Sequence, residues 1–224
     1  MIRSLLCVVL ISGFAMTQAD AGIILSNTFP TQTTGDNPFS DGQFVDPNVT
    51  STGVTRGEGY TLNGGGFDGS DSALVVGDYR SFNGNGLDPT RRFFEFDITP
   101  DVGFTMDFKD FTYNGFVALD PDSTIAPDIF QFRSSLDNFT TDIPGATLTG
   151  STIDLSGAAF QGVAGPIQFR LYIQSTGDTA NPNSTYSLDD FVFNGHVVAA
   201  VPEPSACTLL VCGLSLFFAR RRKN

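Results

Sequence analysis

The alternation of apolar and polar residues along the chain favours short β-strands separated by turns. Residues 167–174 alternate strictly: every second residue from Ile167 to Ile173 is apolar, and Gln, Arg or Tyr lies between. Residues 104–108 alternate in the same way, and period two with one apolar face is typical of a half-buried strand. Strands are predicted at residues 22–29, 59–62, 73–79, 91–98, 104–113, 128–133, 146–155, 167–174 and 186–194.

The composition agrees with an all-β fold. The chain contains three Glu and two Lys, so strong surface helix formers are scarce, whereas Gly, Asp, Asn, Thr and Phe are abundant. Residues 27–69 are rich in turn formers and are expected to be the least regular part. Many short strands predict a sandwich or a barrel, and most of the 22 Phe residues are expected to fill the space between two sheets.

The N-terminus has the layout of a secretory signal peptide. Arg3 precedes an apolar run at residues 5–16, and a small-x-small sequence ends at Ala21, after which we expect cleavage. A permanent membrane anchor is the alternative, but the run is too short to span a bilayer. A lipoprotein signal is disfavoured because Leu6, which is not a small residue, precedes Cys7.

Cysteine and charge separate the body from the two ends. The three cysteines are Cys7, Cys207 and Cys212, so residues 22–201 contain none and cannot form a disulfide. The same residues carry seven basic and 22 acidic side chains, a net charge of −15. Such a surface repels nucleic acid and anionic lipid and favours cations, so nucleic-acid binding is excluded.

The C-terminus combines three features in a fixed order. Pro202, Glu203 and Pro204 precede a mostly apolar stretch of 14 residues, 206–219. As a helix this stretch would extend about 21 Å, shorter than a hydrocarbon core of about 30 Å, so it spans only with flanking residues or a thinned bilayer. A basic cluster ends the chain and would stay on the cytoplasmic side. It consists of Arg220, Arg221, Arg222 and Lys223.

This tail resembles the PEP-CTERM sorting signal of Gram-negative bacteria. The resemblance covers about the last 24 residues and implies that a membrane transpeptidase, an exosortase, cuts near Pro202–Pro204 and passes the body to the cell surface. Proteins with this tail are generally associated with exopolysaccharide and biofilm. A plain C-terminal membrane anchor is the alternative reading.

A second resemblance concerns the fold of the body. The sequence from Phe169 to Gly195, with Asp189 and Asp190 before alternating apolar residues, is similar to the last two strands of jelly-roll domains of the carbohydrate-binding-module kind. It implies an antiparallel jelly-roll β-sandwich. The expected organisation is a signal peptide at 1–21, a β-sandwich at 22–199 and a sorting tail with a short transmembrane helix at 200–224.

Two binding sites are suggested within the body. By the jelly-roll resemblance, Asp189 or Asp190 could help to hold a structural calcium, and adjacent strand residues are expected to face opposite sides, so that only one points inward. Solvated aspartates are the alternative. Tyr172 lies on the polar face of its strand and is expected to be exposed, which makes it the candidate for contact with a sugar. A sheet-surface tyrosine without a ligand is the favoured alternative.

Catalysis is poorly supported by the residues. His196 is the only histidine, no Gly-x-Ser-x-Gly sequence occurs, and the body has no thiol. A pair of carboxylates suitable for glycoside hydrolysis can always be found among 22 acidic residues. Finding such a pair is therefore not evidence for this activity. We expect a non-enzymatic protein.

The sequence suggests three functions, which differ in how strongly it favours them. The first is an exported surface or matrix protein of a Gram-negative bacterium, processed by an exosortase, with a structural or adhesive sandwich and membrane contact only through the tail. The second is a carbohydrate-binding module acting on exopolysaccharide. The third, a glycoside hydrolase, is the least favoured. A structural calcium is the one cofactor considered.

Overall fold

The protein forms two antiparallel β-sheets packed face to face. Its structure is a computed structural model that describes residues 21–30, 37–58, 74–77, 86–118, 126–176 and 185–200, and no α-helix occurs among them. Two short 3₁₀ turns occupy Ser135–Asp137 and Ala158–Phe160. The strands are β1 (Gly22–Asn27), β2 (Gln43–Val45), β3 (Val49–Thr50), β4 (Val54–Arg56), β5 (Leu74–Gly77), β6 (Phe93–Pro100), β7 (Phe104–Ala118), β8 (Ile129–Ser134), β9 (Gly150–Asp154), β10 (Ile167–Gln174) and β11 (Thr185–Ala199).

The first sheet is built around the last strand. Its order is β2-β1-β11-β7-β9, and β5 also pairs with β11. β7 pairs with β11 along its whole length, from Thr185 opposite Ala118 to Ala199 opposite Phe104. On the other side of β11, β5 covers the first part and β1 covers the second. Neighbours on both sides make β11 the central strand of this sheet.

The second sheet has the order β3-β6-β10-β8, and β4 also pairs with β6. A hairpin through residues 101–103 joins β6 in this sheet to β7 in the first. The free edge of β8 is covered by the chain that follows it, because the Ile143 amide donates to the Phe132 carbonyl and the Asp142 carboxylate accepts from the Phe132 amide. Covered edges do not pair with other chains.

Phenylalanine fills the space between the sheets, as the sequence predicts. Phe193 on β11 lies at the centre, with its ring centroid 4.4 Å from that of Phe111 and 5.1 Å from that of Phe169. Phe111, Phe132 and Phe169 are stacked, with interplanar angles of 4° and 3°. Each pair adds about 1 kcal/mol to the gain from burial, so a core without disulfides is held by ring packing. The buried core phenylalanines are Phe29, Phe39, Phe94, Phe96, Phe108, Phe111, Phe132, Phe169, Phe191 and Phe193.

The two ends of the described domain lie at the same end of the sandwich. β1 begins at Gly22, which is opposite Gly195 on β11. β11 continues to Ala199, and the next amide, that of Ala200, donates to the carbonyl of Gly103 in the β6–β7 hairpin. The chain therefore enters and leaves the sandwich beside this hairpin.

The prediction of an all-β sandwich is confirmed in this general form. The predicted strand at 167–174 coincides with β10, and its apolar residues from Ile167 to Ile173 are buried as expected. β2, β3 and β4 were not predicted, because strands of two or three residues are too short to show a period. The predicted strand at 59–62 lies outside the described residues.

Candidate functional site

Half-exposed polar side chains cross the outer face of the second sheet. The register of β4, β6, β10 and β8 places four of them in one cross-strand row, and two more form the neighbouring row on β6 and β10. Directly opposite residues on one face of antiparallel strands are in contact range. We call this set the polar strip. The first row is Thr55, Glu95, Arg170 and Arg133, and the second is Asp97 and Gln168.

Arg170 is the most tightly held side chain of the strip. Its guanidinium carbon lies 4.1 Å from the ring centroid of Phe93 and 3.9 Å from that of Phe139, so two aromatic rings pack against the group. Its Nε donates to Oε2 of Glu95 at 2.7 Å. Cation–π contact of this kind is worth about 0.5–2 kcal/mol, depending on desolvation. With 22% of its side chain exposed, Arg170 is fixed in place but still reaches the surface.

A turn after β8 puts Phe139 over Arg170. Asn138 and Phe139 both adopt the left-handed region, each with φ 58°, a conformation that costs a phenylalanine about 1–2 kcal/mol. The Phe139 amide donates to the Ser134 carbonyl at 2.9 Å, and Arg133 Nη1 donates to the Phe139 carbonyl at 2.8 Å. These bonds hold the strained turn and keep the ring on the guanidinium.

The expectation that Tyr172 is exposed is wrong. Tyr172 is fully buried, because residues 86–92 fold over this end of the outer face. Its hydroxyl donates to the Pro89 carbonyl at 3.2 Å, its ring packs edge-on against Phe93, and burial raises its pKa above 10.0 despite a hydrogen bond from Arg170. Gln174 is buried beside it, with its Nε2 donating to the Asp88 carbonyl at 2.8 Å. Strand periodicity reveals which face a residue occupies but not what covers that face.

Comparison with known proteins identifies no family. No protein-family model matches the chain. No curated protein matches it either. Function is therefore inferred from the residues and from their arrangement.

Asp189 and Asp190 lie in a β-bulge of β11. Leu188 is opposite Gly115 and Phe191 is opposite Tyr113, so the two aspartates together face the single residue between those partners on β7. A bulge of this kind breaks the alternation, and both aspartates are half-exposed while Leu188 and Phe191 are both buried. The expectation that the aspartates point to opposite sides is therefore wrong.

The calcium hypothesis at Asp189 and Asp190 stays a prediction. In the part of the chain that the structure describes, no group of three or more His, Cys, Asp or Glu side chains could hold a metal ion. The sorting residues, from Pro202 to Pro204 and from Arg220 to Lys223, lie outside the described residues. Within the described ranges no helix is long and apolar enough to span a bilayer.

The turn that carries Phe139 depends on Asp137. The Asp137 carboxylate accepts hydrogen bonds from the amides of Thr140 and Thr141 at 3.2 and 2.9 Å. Hydrogen bonds hold the pKa of Asp137 below its ordinary value of 3.8, and the bond from the Thr141 side chain has a larger effect than those from the backbone amides. The charged form is thus favoured by the folded state.

We expect Asp137→Asn to lower the free energy of unfolding at neutral pH by about 1 kcal/mol or less, as for a lost helix cap. Because the pKa of Asp137 is lower in the folded state, its contribution is fully present above the unfolded value of 3.8 and is lost as the pH falls through the folded value. Urea unfolding of both proteins at several pH values checks this. The two curves should converge in acid, and a difference that stays constant with pH would contradict the assignment.

Proposed function

We propose that the chain is an exported surface or matrix protein of a Gram-negative bacterium whose jelly-roll β-sandwich is non-catalytic and whose tail is processed by an exosortase. The support for export and processing is the order of features in the sequence: the signal-like residues 1–21, and the Pro202–Pro204 motif followed by an apolar stretch and a basic cluster. The body between them serves adhesion or matrix structure.

The pairing of β1 with β11 is the structural observation that carries this proposal. Gly22, the residue after the expected cleavage site, is the first residue of β1, and β11 ends at Ala199, three residues before Pro202. In the sequence, both expected cuts thus fall outside the range from Gly22 to Ala199 that the described strands span. The six residues from Ala200 to the apolar stretch at 206 can extend at most about 20 Å, so a tail anchored in the membrane would keep the C-terminal end of β11 near the bilayer until it is cut.

The arrangement of the only histidine supports a non-catalytic sandwich. His196 lies within β11 opposite Asp107 on β7. The Asp107 carboxylate accepts a hydrogen bond from the Gly162 amide at 2.6 Å, so it holds a loop on the strand. A catalytic triad needs a carboxylate that orients the imidazole and a nucleophile beside it. The hydrogen bond from a loop amide to Asp107 supports the non-catalytic role proposed for the sandwich.

Proline substitution tests the processing step. We expect Pro202→Ala with Pro204→Ala to leave the protein uncut in the inner membrane, because proline disfavours helix and favours an extended segment, the form that an enzyme cleft can bind. The full chain is expressed in a Gram-negative host that carries an exosortase, and the mass and location of the product are measured. The unchanged chain in a host without the enzyme should also remain uncut.

The matched control replaces two prolines that lie in exposed loops of the body. Pro144→Ala with Pro166→Ala makes the same chemical change, and this variant should be cut and released like the unchanged protein. Release of the Pro202→Ala, Pro204→Ala variant at the same rate would refute the sorting function.

A further inference from the structure

We propose that the polar strip is a binding site for a neutral polysaccharide. The inference rests on the proposed function only in that an exported protein meets polysaccharide outside the cell. The site uses Arg170 and Gln168 as donors and Glu95 and Asp97 as acceptors, and it does not use Tyr172.

Arg170 has hydrogen-bond donors that no described residue uses. Arg170 donates one hydrogen bond to Glu95, through Nε, and another to the hydroxyl of Tyr172. It makes no other hydrogen bond to a described residue. A guanidinium has five N–H groups, so three remain for another acceptor. On the other side of Glu95, the bond from Gln168 Nε2 to Oε1 is long, at 3.3 Å, and is readily exchanged for one to a ligand.

The polar strip is neutral, because it contains two arginines and two carboxylates, whereas the body as a whole has a net charge of −15. A polyanion would be repelled by the whole body, and a polycation would be attracted everywhere rather than to this face. A sugar hydroxyl both donates and accepts, so it matches alternating guanidinium, amide and carboxylate groups without bringing charge.

The side chains of the strip are held in place before any ligand binds. The two rings and Glu95 already hold Arg170, Thr52 Oγ1 donates to Asp97 at 2.6 Å, and Arg133 donates to Gln131 at 2.5 Å. Side chains fixed before binding lose little conformational entropy when a ligand arrives. The strained backbone at Phe139 fits the same explanation, since it keeps a ring packed on the guanidinium.

Two segments of the chain pack against the strip. Residues 86–92 cover Tyr172 and Gln174 next to it, and the turn at 135–141 places the Phe139 ring on the Arg170 guanidinium. The first row of polar groups crosses four strands, a length that suits an extended chain rather than a single small molecule.

Affinity electrophoresis of the full chain in a non-sugar, non-ionic detergent tests the proposal. With a formal net charge of −12 the protein migrates in native gels, and the gels contain galactomannan, xyloglucan, mixed-linkage glucan or mannan as neutral probes and alginate as the polyanionic probe. We expect retardation by at least one neutral polysaccharide, little changed by added salt, and none by alginate.

Two variants within the strip and one outside it assign the site. Gln168→Ala removes a half-exposed amide and should weaken binding about five-fold, and Arg170→Lys, which keeps the charge but loses the planar fork, should weaken it about ten-fold or more. Thr152→Ala, on the outer face of the other sheet, should bind like the unchanged protein.

Three results would overturn the site. They are no retardation by any neutral probe, retardation by alginate alone, and unchanged binding by both strip variants. Because the assay needs neither export nor tail cutting, failure here leaves the proposed processing intact, and failure of processing leaves the binding result intact. Gln168→Ala keeps the test valid even where Arg170→Lys unfolds.

Discussion

Replacing Phe193 by Ala is expected to lower the free energy of unfolding by about 3–5 kcal/mol, the range for a buried phenylalanine whose removal leaves a cavity. The ring is fully buried and has six aromatic neighbours, so few small shifts could close the gap. The neighbouring rings are Phe96, Phe108, Phe111, Phe132, Phe169 and Phe191. Urea unfolding followed by circular dichroism measures the loss, which is a large part of the stability of an ordinary domain.

Phe44 on β2 provides the matched control, because the same substitution there removes a ring that is 49% exposed. We expect Phe44→Ala to cost less than about 1 kcal/mol. Phe193→Leu, which fills most of the cavity, should give an intermediate loss and remains measurable if the alanine variant does not fold. Equal losses for Phe44→Ala and Phe193→Ala would show that the phenylalanine cluster is not the main source of stability.

Gly150→Ala is expected to cost about 3 kcal/mol, although the change adds a single methyl group. Gly150 begins β9 with φ 100°, a conformation that other residues rarely adopt, and a Cβ there would lie 2.2 Å from the carbonyl oxygen of Tyr113 on β7. The obstacle is backbone, so it cannot rotate away. The separation of β9 from the edge of β7 should appear as faster amide exchange in residues 110–114.

Gly157 offers the same chemical change without either obstacle. Its φ is −61° and no atom lies within 4 Å of the position that a Cβ would occupy. Gly157→Ala should therefore leave stability unchanged or raise it slightly, because alanine restricts the unfolded chain. If Gly150→Ala unfolds at the same urea concentration as Gly157→Ala, the close approach of β9 to β7 does not hold in solution.

The sequence was informative where one strand face is buried over a long stretch. β10 has eight residues, its inner face packs on the other sheet, and its bounds are those that the alternation predicts. The use of phenylalanine as core filling was also predictable, since so many large apolar rings in a chain without body cysteines must be buried together.

The features of the candidate site were not predictable, because each depends on contacts between distant segments. Tyr172 is covered by residues 86–92, and Pro89, which accepts its hydrogen bond, is 83 positions away. The stacking of Arg170 needs Phe93 on a neighbouring strand and a left-handed turn at Phe139. The nearest clue in the sequence was an arginine on the polar face of a strand in an acidic body with seven basic residues.

The position of β11 also determines how the domain responds to mechanical force. In a protein held by its C-terminal tail, tension enters at Ala199 and acts along the axis of a central strand. β7 pairs with that strand from Ala199 to Thr185, so the hydrogen bonds of the ladder share the load in shear instead of opening one after another. We expect the sandwich to resist pulling through its tail far better than pulling across its sheets, which would suit the proposed role at a cell surface.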